Sequence, residues 1–264
     1  MSFAALEYAG STWRSSAPLL RRQIPRSVHR RAIDRAARPF SVSRTAREDL
    51  NEVKVSDRLS LKGRSVLVTG GGRGIGFAIS RAIAQQGGNV AILDALPEPV
   101  KEFHSLESKY GIKTTFQQAD VTKQSSLESA FSAAIDKVGP LQGCVPAAGI
   151  AIDKPIGETN WDEALRVLEV NTLGTWGTAK IFAKHVAEHG QGGSIVMIAS
   201  IAGQGIKVPE QNLSIYNMSK AGVKGLVGPL AVELAPIHVR VNSISPGVIL
   251  SPMTDALKSQ YPHL

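Results

Sequence analysis

The chain has little of what staples or anchors a protein. Its 264 residues include one cysteine, Cys144, so no disulfide can form within it. No run of about 18 apolar residues occurs, which leaves no candidate for a membrane-spanning helix. The histidines show no metal-ligand spacing; His185 and His189 stand at i and i+4, and the pair reads as an exposed helix end. Lysine is missing from residues 1–47, where ten arginines face two acids, Glu7 and Asp34. Residues 48–264 carry 20 basic and 20 acidic side chains, so the net charge of +8 belongs to the N-terminal arm. A neutral body offers phosphate backbones no general attraction, and no nucleic-acid partner is expected.

What is present is ordinary for a folded domain, with 43% hydrophobic and 20% charged residues. Residues 1–50 are set apart as a basic arm, Arg-rich, Ser-rich and acid-poor like mitochondrial transit peptides. Within it, Arg38-Pro39-Phe40-Ser41-Val42-Ser43 resembles the Arg-x-Phe-x-x-Ser pattern of presequences cut in two steps. That places the mature start near Phe40 or Glu48 and the protein in the mitochondrial matrix. The alternative is a disordered tail on a cytoplasmic protein. Residues 51–264 read as one domain.

In that domain, short apolar runs alternate with helical stretches. Strands are expected at Ser65–Thr69, Asn89–Asp94, Lys113–Ala119, Gly143–Ala147, Ser194–Ala199 and His238–Ile244. Helices are expected at Gly74–Gln86, Pro97–Tyr110, Lys123–Val138, Trp161–Glu188 and Ile215–Leu234. Such alternation means a parallel sheet covered on both faces. Cys144 falls on a buried strand as a core thiol, and Gly222, Gly225 and Gly228 suit helix packing.

Thr69-Gly70-Gly71-Gly72-Arg73-Gly74-Ile75-Gly76 lies between the first strand and the first helix. Glycines permit the tight turn and let backbone N–H groups approach a pyrophosphate, which the helix N-terminus also attracts. Asp94 ends the next strand, 24 residues after Gly70, where a carboxylate can accept hydrogen bonds from a ribose diol. Such a carboxylate repels a 2′-phosphate, so NAD(H) is favoured. Asp94 could instead be a helix N-terminal charge. Arg73 would favour a phosphate, so NADP(H) stays open.

Tyr216 and Lys220 stand at i and i+4, on one face of a helix. A nearby cation stabilises a phenolate; lowering a Tyr pKa by about 3 units takes roughly 4 kcal/mol. Alone, Tyr-x-x-x-Lys is more often a surface pair. Here it comes with Asp120-Val121-Thr122, Ala147-Ala148-Gly149, Asn171, Ser200 and Pro246-Gly247, in that order along the chain.

Together with the glycine loop, these motifs resemble the short-chain dehydrogenase/reductase family from about Leu61 to the end. The resemblance implies an α/β, doubly wound parallel sheet with helices on both faces, the Rossmann fold. It implies an NAD(P)-dependent enzyme acting on an alcohol or ketone. Tyr216 would be the acid/base, with Lys220 lowering its pKa and holding the nicotinamide ribose. Ser200 would hydrogen-bond the substrate oxygen, and Asn171 would hold a water of the proton relay. Gly70, Arg73, Gly74, Ile75, Gly76, Asp94, Asp120, Val121, Gly149, Pro246, Gly247, Val248 and Ser251 would complete the cofactor site, Asp120 meeting the adenine. A homo-oligomer through the two long helices is also implied. Ile198–Gly203, Tyr216–Lys220 and Ser245–Leu250 are similar to fungal members that act on arabinitol, mannitol and sorbose, which points to a polyol or sugar ketone.

Three departures stand out. The family's Asn-Asn-Ala-Gly is Pro146-Ala147-Ala148-Gly149 here, so local support must come from elsewhere. The 16 residues from Ser200 to Tyr216 exceed the common spacing, and Lys207–Asn212 should wall the substrate pocket. The chain stops at Leu264, where the family continues to a seventh strand, so six strands with an uncovered sixth are expected. A truncated remnant that binds cofactor or a partner without turnover is the competing reading.

Overall fold

In a computed structural model of the chain, residues 55–205 and 211–255 are described. The basic arm and residues 207–210 of the expected pocket wall lie outside them. After one helical turn at Val55–Arg58, six strands follow: β1 Ser65–Thr69, β2 Asn89–Asp94, β3 Thr114–Gln118, β4 Gly143–Pro146, β5 Gly193–Ile198 and β6 Val239–Ile244. Between them run α1 Gly74–Gln85, α2 Phe103–Tyr110, α3 Gln124–Val138, α4 Trp161–Leu168, α5 Gly174–His189 and α6 Ser214–Leu234. The strands form one parallel sheet in the order β3-β2-β1-β4-β5-β6. Chain direction across the sheet reverses between β1 and β4, which opens a crevice at their C-terminal ends.

Residue parity sorts the core. Leu67, Ala91, Leu93, Cys144, Ile195 and Met197 face one side and pack with Phe131 of α3 and Phe182 of α5. Val66, Val68, Val90, Ile92, Val145 and Ile198 face the other, with Phe77 of α1 and Phe103 of α2. Strands alternate faces every residue, so unbroken apolar runs are what a sheet covered on both sides requires. Cys144 is buried, and burial pushes its thiol pKa up.

Several expectations need correction. The second helix begins at Phe103, not Pro97. Pro97 and Pro99 disfavour helical geometry in the residues before them, and the segment instead crosses the glycine loop, Val100 N donating to Gly72 O at 3.0 Å. The long helix at Trp161–Glu188 is interrupted by a π-helical turn, Glu169–Leu173, between α4 and α5. His185 is buried, not exposed: its Nε2 accepts from Leu141 N at 2.9 Å, and burial holds its pKa below the ordinary value. Of the three α6 glycines only Gly222 packs closely, 3.1 Å from Thr172 Cγ2 as a Cβ would measure it; Gly225 and Gly228 face open space.

Pro146 ends β4, whose pairing with β5 stops at Cys144, and Ala147 N continues the β1 side by donating to Thr69 O at 3.1 Å. Among the described residues β6 pairs with β5 alone. None of their helices is long and apolar enough to cross a membrane.

Candidate active site

The first half of the site is backbone. Gly70 has φ +66°, and a Cβ there would lie 2.5 Å from Ala148 Cα. A Cβ on Gly76 would lie 2.1 Å from the Gly70 carbonyl oxygen. No side chain fits at either position. The strand–loop–helix thus closes tightly against the loop after β4. Gly74 and Ile75 form the first turn of α1, whose N-terminus no side chain caps, so its N–H groups remain available to an anion. Asp94 accepts from Gly72 N at 2.8 Å and Leu96 N at 3.0 Å. No helix begins at Asp94, so it is not a helix N-terminal charge; its carboxylate is fixed beside the glycine loop. Arg73 is exposed.

After β3, Asp120 accepts from Thr122 N at 3.0 Å and Thr122 Oγ1 at 2.7 Å. Burial raises its pKa, but the Thr122 hydrogen bonds and nearby Arg166 and Lys123 outweigh this and hold it below the ordinary value. Val121 lies over Gly174, where a Cβ would come within 2.7 Å of its Cγ2.

The second half is buried side chains. The π turn places Asn171 wholly inside, and its amide is fully used. Oδ1 accepts from Ile150 N at 2.8 Å, while Nδ2 donates to Ile150 O and Ser219 Oγ, each at 2.9 Å. Ser219 donates to Tyr216 O at 2.7 Å, and its own carbonyl accepts from Thr172 Oγ1 at 3.1 Å. This clamp, with Gly70 against Ala148, supplies the support that Pro146 and Ala147 cannot. The Asn171 backbone carbonyl accepts from Thr175 Oγ1 at 2.7 Å. Gly149 lies beside the clamp, since a Cβ on it would sit 3.3 Å from Asn171 Oδ1 and 3.5 Å from Lys220 Nζ.

Lys220 is 4% exposed, and Nζ donates to Ile198 O at 2.8 Å. Burial pulls its pKa down to about 8. Nζ stands 5.8 Å from the Tyr216 ring centroid. Burial raises the Tyr216 pKa above its ordinary value, and a hydrogen bond with Ser200 offsets this only in part. The expected lowering of the phenol by Lys220 is therefore absent from the protein alone; desolvation dominates both groups. Ser200 Oγ, at the end of β5, also accepts from Ala202 N at 3.2 Å.

Beyond β6, Pro246 O accepts from Ile201 N at 3.0 Å, and Gly247 packs toward Ile201. Val248 is exposed, and Ser251 pairs with Thr254, Ser251 N donating to Thr254 Oγ1 at 2.8 Å. Ser251 and Pro252 approach Gly74, within 3.8 and 3.6 Å of a Cβ placed there. The structure thus brings both halves to one crevice. Of the expected pocket wall, Asn212 is described: its N donates to Asp153 Oδ1 at 2.8 Å, and Lys154 N donates to its carbonyl at 3.2 Å. Ser219 and the Ile198 carbonyl were not among the candidates. Their only signal was position, one residue from Lys220 and two from Ser200.

A crevice of this kind belongs to enzymes that transfer hydride through a nicotinamide dinucleotide, and the residues fit one. The glycine loop leaves room for nothing bulkier than backbone, and Lys220 has one protein acceptor among the described residues for three donors. A family profile described as short chain dehydrogenase matches residues 64–262. The chain is 34% identical over 203 residues to a sorbose reductase of Schizosaccharomyces pombe, covering 76% of this chain and 78% of that protein. It is 30% identical over 219 residues to a ribulose-forming D-arabinitol 2-dehydrogenase of Scheffersomyces stipitis, covering 78% of each. The structure of an NADPH-dependent 3-quinuclidinone reductase from Rhodotorula rubra superposes with a TM-score of 0.71 at 33% identity, over 76% of this chain and 75% of that one. The chain belongs to the short-chain dehydrogenase family and is an NAD(P)-dependent oxidoreductase.

Proposed function

We propose that the enzyme interconverts a secondary alcohol of a polyol with the corresponding sugar ketone, using NAD(H). The observation that carries the chemistry is the meeting of buried Ser200 and Lys220 with partly buried Tyr216 at the mouth of the crevice. When bound, the nicotinamide accepts or supplies the hydride. Ser200 Oγ holds the substrate oxygen, and the Tyr216 hydroxyl exchanges a proton with it. Lys220 Nζ binds the nicotinamide ribose and, once its ammonium is so partnered, favours the phenolate. Gly70, Gly74, Ile75 and Gly76 take the pyrophosphate, Asp94 the adenosine ribose, and Asp120 and Val121 the adenine. Gly149, Pro246, Gly247, Val248 and Ser251 border the nicotinamide, and Asn171 holds a water of the proton relay.

Similarity to enzymes named for sorbose and arabinitol supports the substrate class. The anchored Asp94 supports NAD(H) over NADP(H), against Arg73 on the glycine loop. Full-length protein should bind NADH at least tenfold more tightly than NADPH in fluorescence titration and turn over sorbose, ribulose or arabinitol. Asp94→Ala should narrow that ratio toward one by admitting the 2′-phosphate. Tighter NADPH binding by the wild type would overturn the preference.

The N-terminal arm is taken as a mitochondrial address, checked by following a fluorescent fusion with and without residues 1–47. Exposed Trp161, Leu165, Leu173 and Trp176 on α4, the π turn and α5 support self-association, which light scattering over a concentration series would measure.

A further inference from the structure

The C-terminal ends of β1, β2 and β3 lie side by side and carry the glycine loop, Asp94 and the Asp120–Thr122 turn. A dinucleotide with its pyrophosphate at the α1 N-terminus and its ribose on Asp94 must run its adenine outward, over the end of β3. The turn that meets it is held mainly by near neighbours. Asp120 N donates to Ser126 Oγ at 3.0 Å, and Asp120 Oδ1 takes both Thr122 donors.

One side chain reaches this turn from far along the chain. Arg166 on α4 donates from Nη1 to Thr122 Oγ1 at 3.1 Å, and its Nη2 lies 4.0 Å from Asp120 Oδ2. Thr122 Oγ1 is thus acceptor to Arg166 and donor to Asp120, so the guanidinium fixes which way the hydroxyl points and, through it, the carboxylate. Lys123, 3.9 Å from the same Oδ2, is the more exposed partner and lies on the turn itself, so it cannot tie the turn to another element. Five residues beyond Arg166, the same helical segment carries Asn171 into the catalytic half.

We propose that Arg166 is a positioning residue for the adenine end of the cofactor: it holds the Asp120–Thr122 turn in the shape that receives the base. This rests on the nicotinamide-cofactor reading of the crevice. The test uses the full chain and two halves of the cofactor, ADP-ribose and reduced nicotinamide mononucleotide, in binding titrations. Arg166→Met should weaken ADP-ribose and NADH about fivefold, the scale of a half-exposed charged hydrogen bond, and leave the mononucleotide unchanged. Thr122→Val, which removes the acceptor without touching α4, should give the same split, and the double variant should be no worse than either single one. Arg166→Lys should recover part of the loss.

Parallel weakening of both halves would mean that Arg166 merely supports the fold, and unchanged ADP-ribose binding would mean that it does nothing for the adenine. Either result overturns the proposal. Failure of the wild type to bind either half would overturn the cofactor reading itself.

Discussion

The cofactor-binding loop and Asp94 come from 25 consecutive residues, Gly70 to Asp94, whereas Asn171, Ser200, Tyr216 and Lys220 are gathered from several elements across 50. The first region works with backbone: N–H groups, tight glycines and a carboxylate pinned by two amides. The second works with buried side chains that desolvation makes costly, as the lowered Lys220 and raised Tyr216 pKa values record. One region is preorganised by local geometry. The other stores an electrostatic cost that a bound partner can relieve.

The comparison breaks hardest at Gly76. With 2.1 Å between a Cβ there and the Gly70 oxygen, Gly76→Val should abolish NADH binding and soluble expression together, read by titration and by yield. A variant that folds and binds within threefold would mean that the loop is not rigid.

Lys220→Met should separate the two regions. Turnover should fall about 10³-fold, while the cofactor-free protein gains roughly 5 °C in Tm, because a buried ammonium with one acceptor is replaced by an apolar chain. The pH dependence has a definite sign. The folded pKa of about 8 lies below the unfolded value of 10.5, so as pH falls between them the unfolded chain takes up a proton that the native state refuses. Wild-type stability therefore drops over that window, by at most about 3 kcal/mol, and levels off below pH 8. The Tm advantage of Lys220→Met should accordingly shrink from pH 7.5 toward pH 10. An advantage independent of pH would show that packing, not charge, sets it.

The smallest effect is expected at the seam. Ser219→Ala leaves one Asn171 amide hydrogen without its acceptor, a loss of about 1–3 kcal/mol in urea unfolding. NADH binding should change less than twofold, because the glycine loop is untouched. Equal losses in stability and affinity would show that the two regions are not separable.

Much of this architecture was legible because its signals are local. Strand positions follow from apolar runs, and all six strands agree with expectation to within a residue at each end. The glycine loop and Tyr216–Lys220 were readable for the same reason. What escaped depends on partners distant in sequence. His185 is buried because Leu141, 44 residues earlier, needs an acceptor. The non-helical run before Phe103 follows from the proline pair and the closure onto Gly72, which helix periodicity does not weigh. The direction of the Tyr216 shift depends on how deeply the phenol is buried, and a motif cannot state that.

The π turn at Glu169–Leu173 makes the effect of a lost codon depend on where it falls, in a way that composition would not reveal. A π turn holds one residue more than the α-helical turn it stands in for. Losing a codon between the turn and Phe182 would rotate Phe182 and Val186 away from the sheet by about 100°, although no core residue had been altered. Losing one inside Glu169–Leu173 would let an unbroken α-helix form with both still facing the sheet, at the expense of the inward-held Asn171. The turn can therefore absorb a change in count that the helix around it cannot.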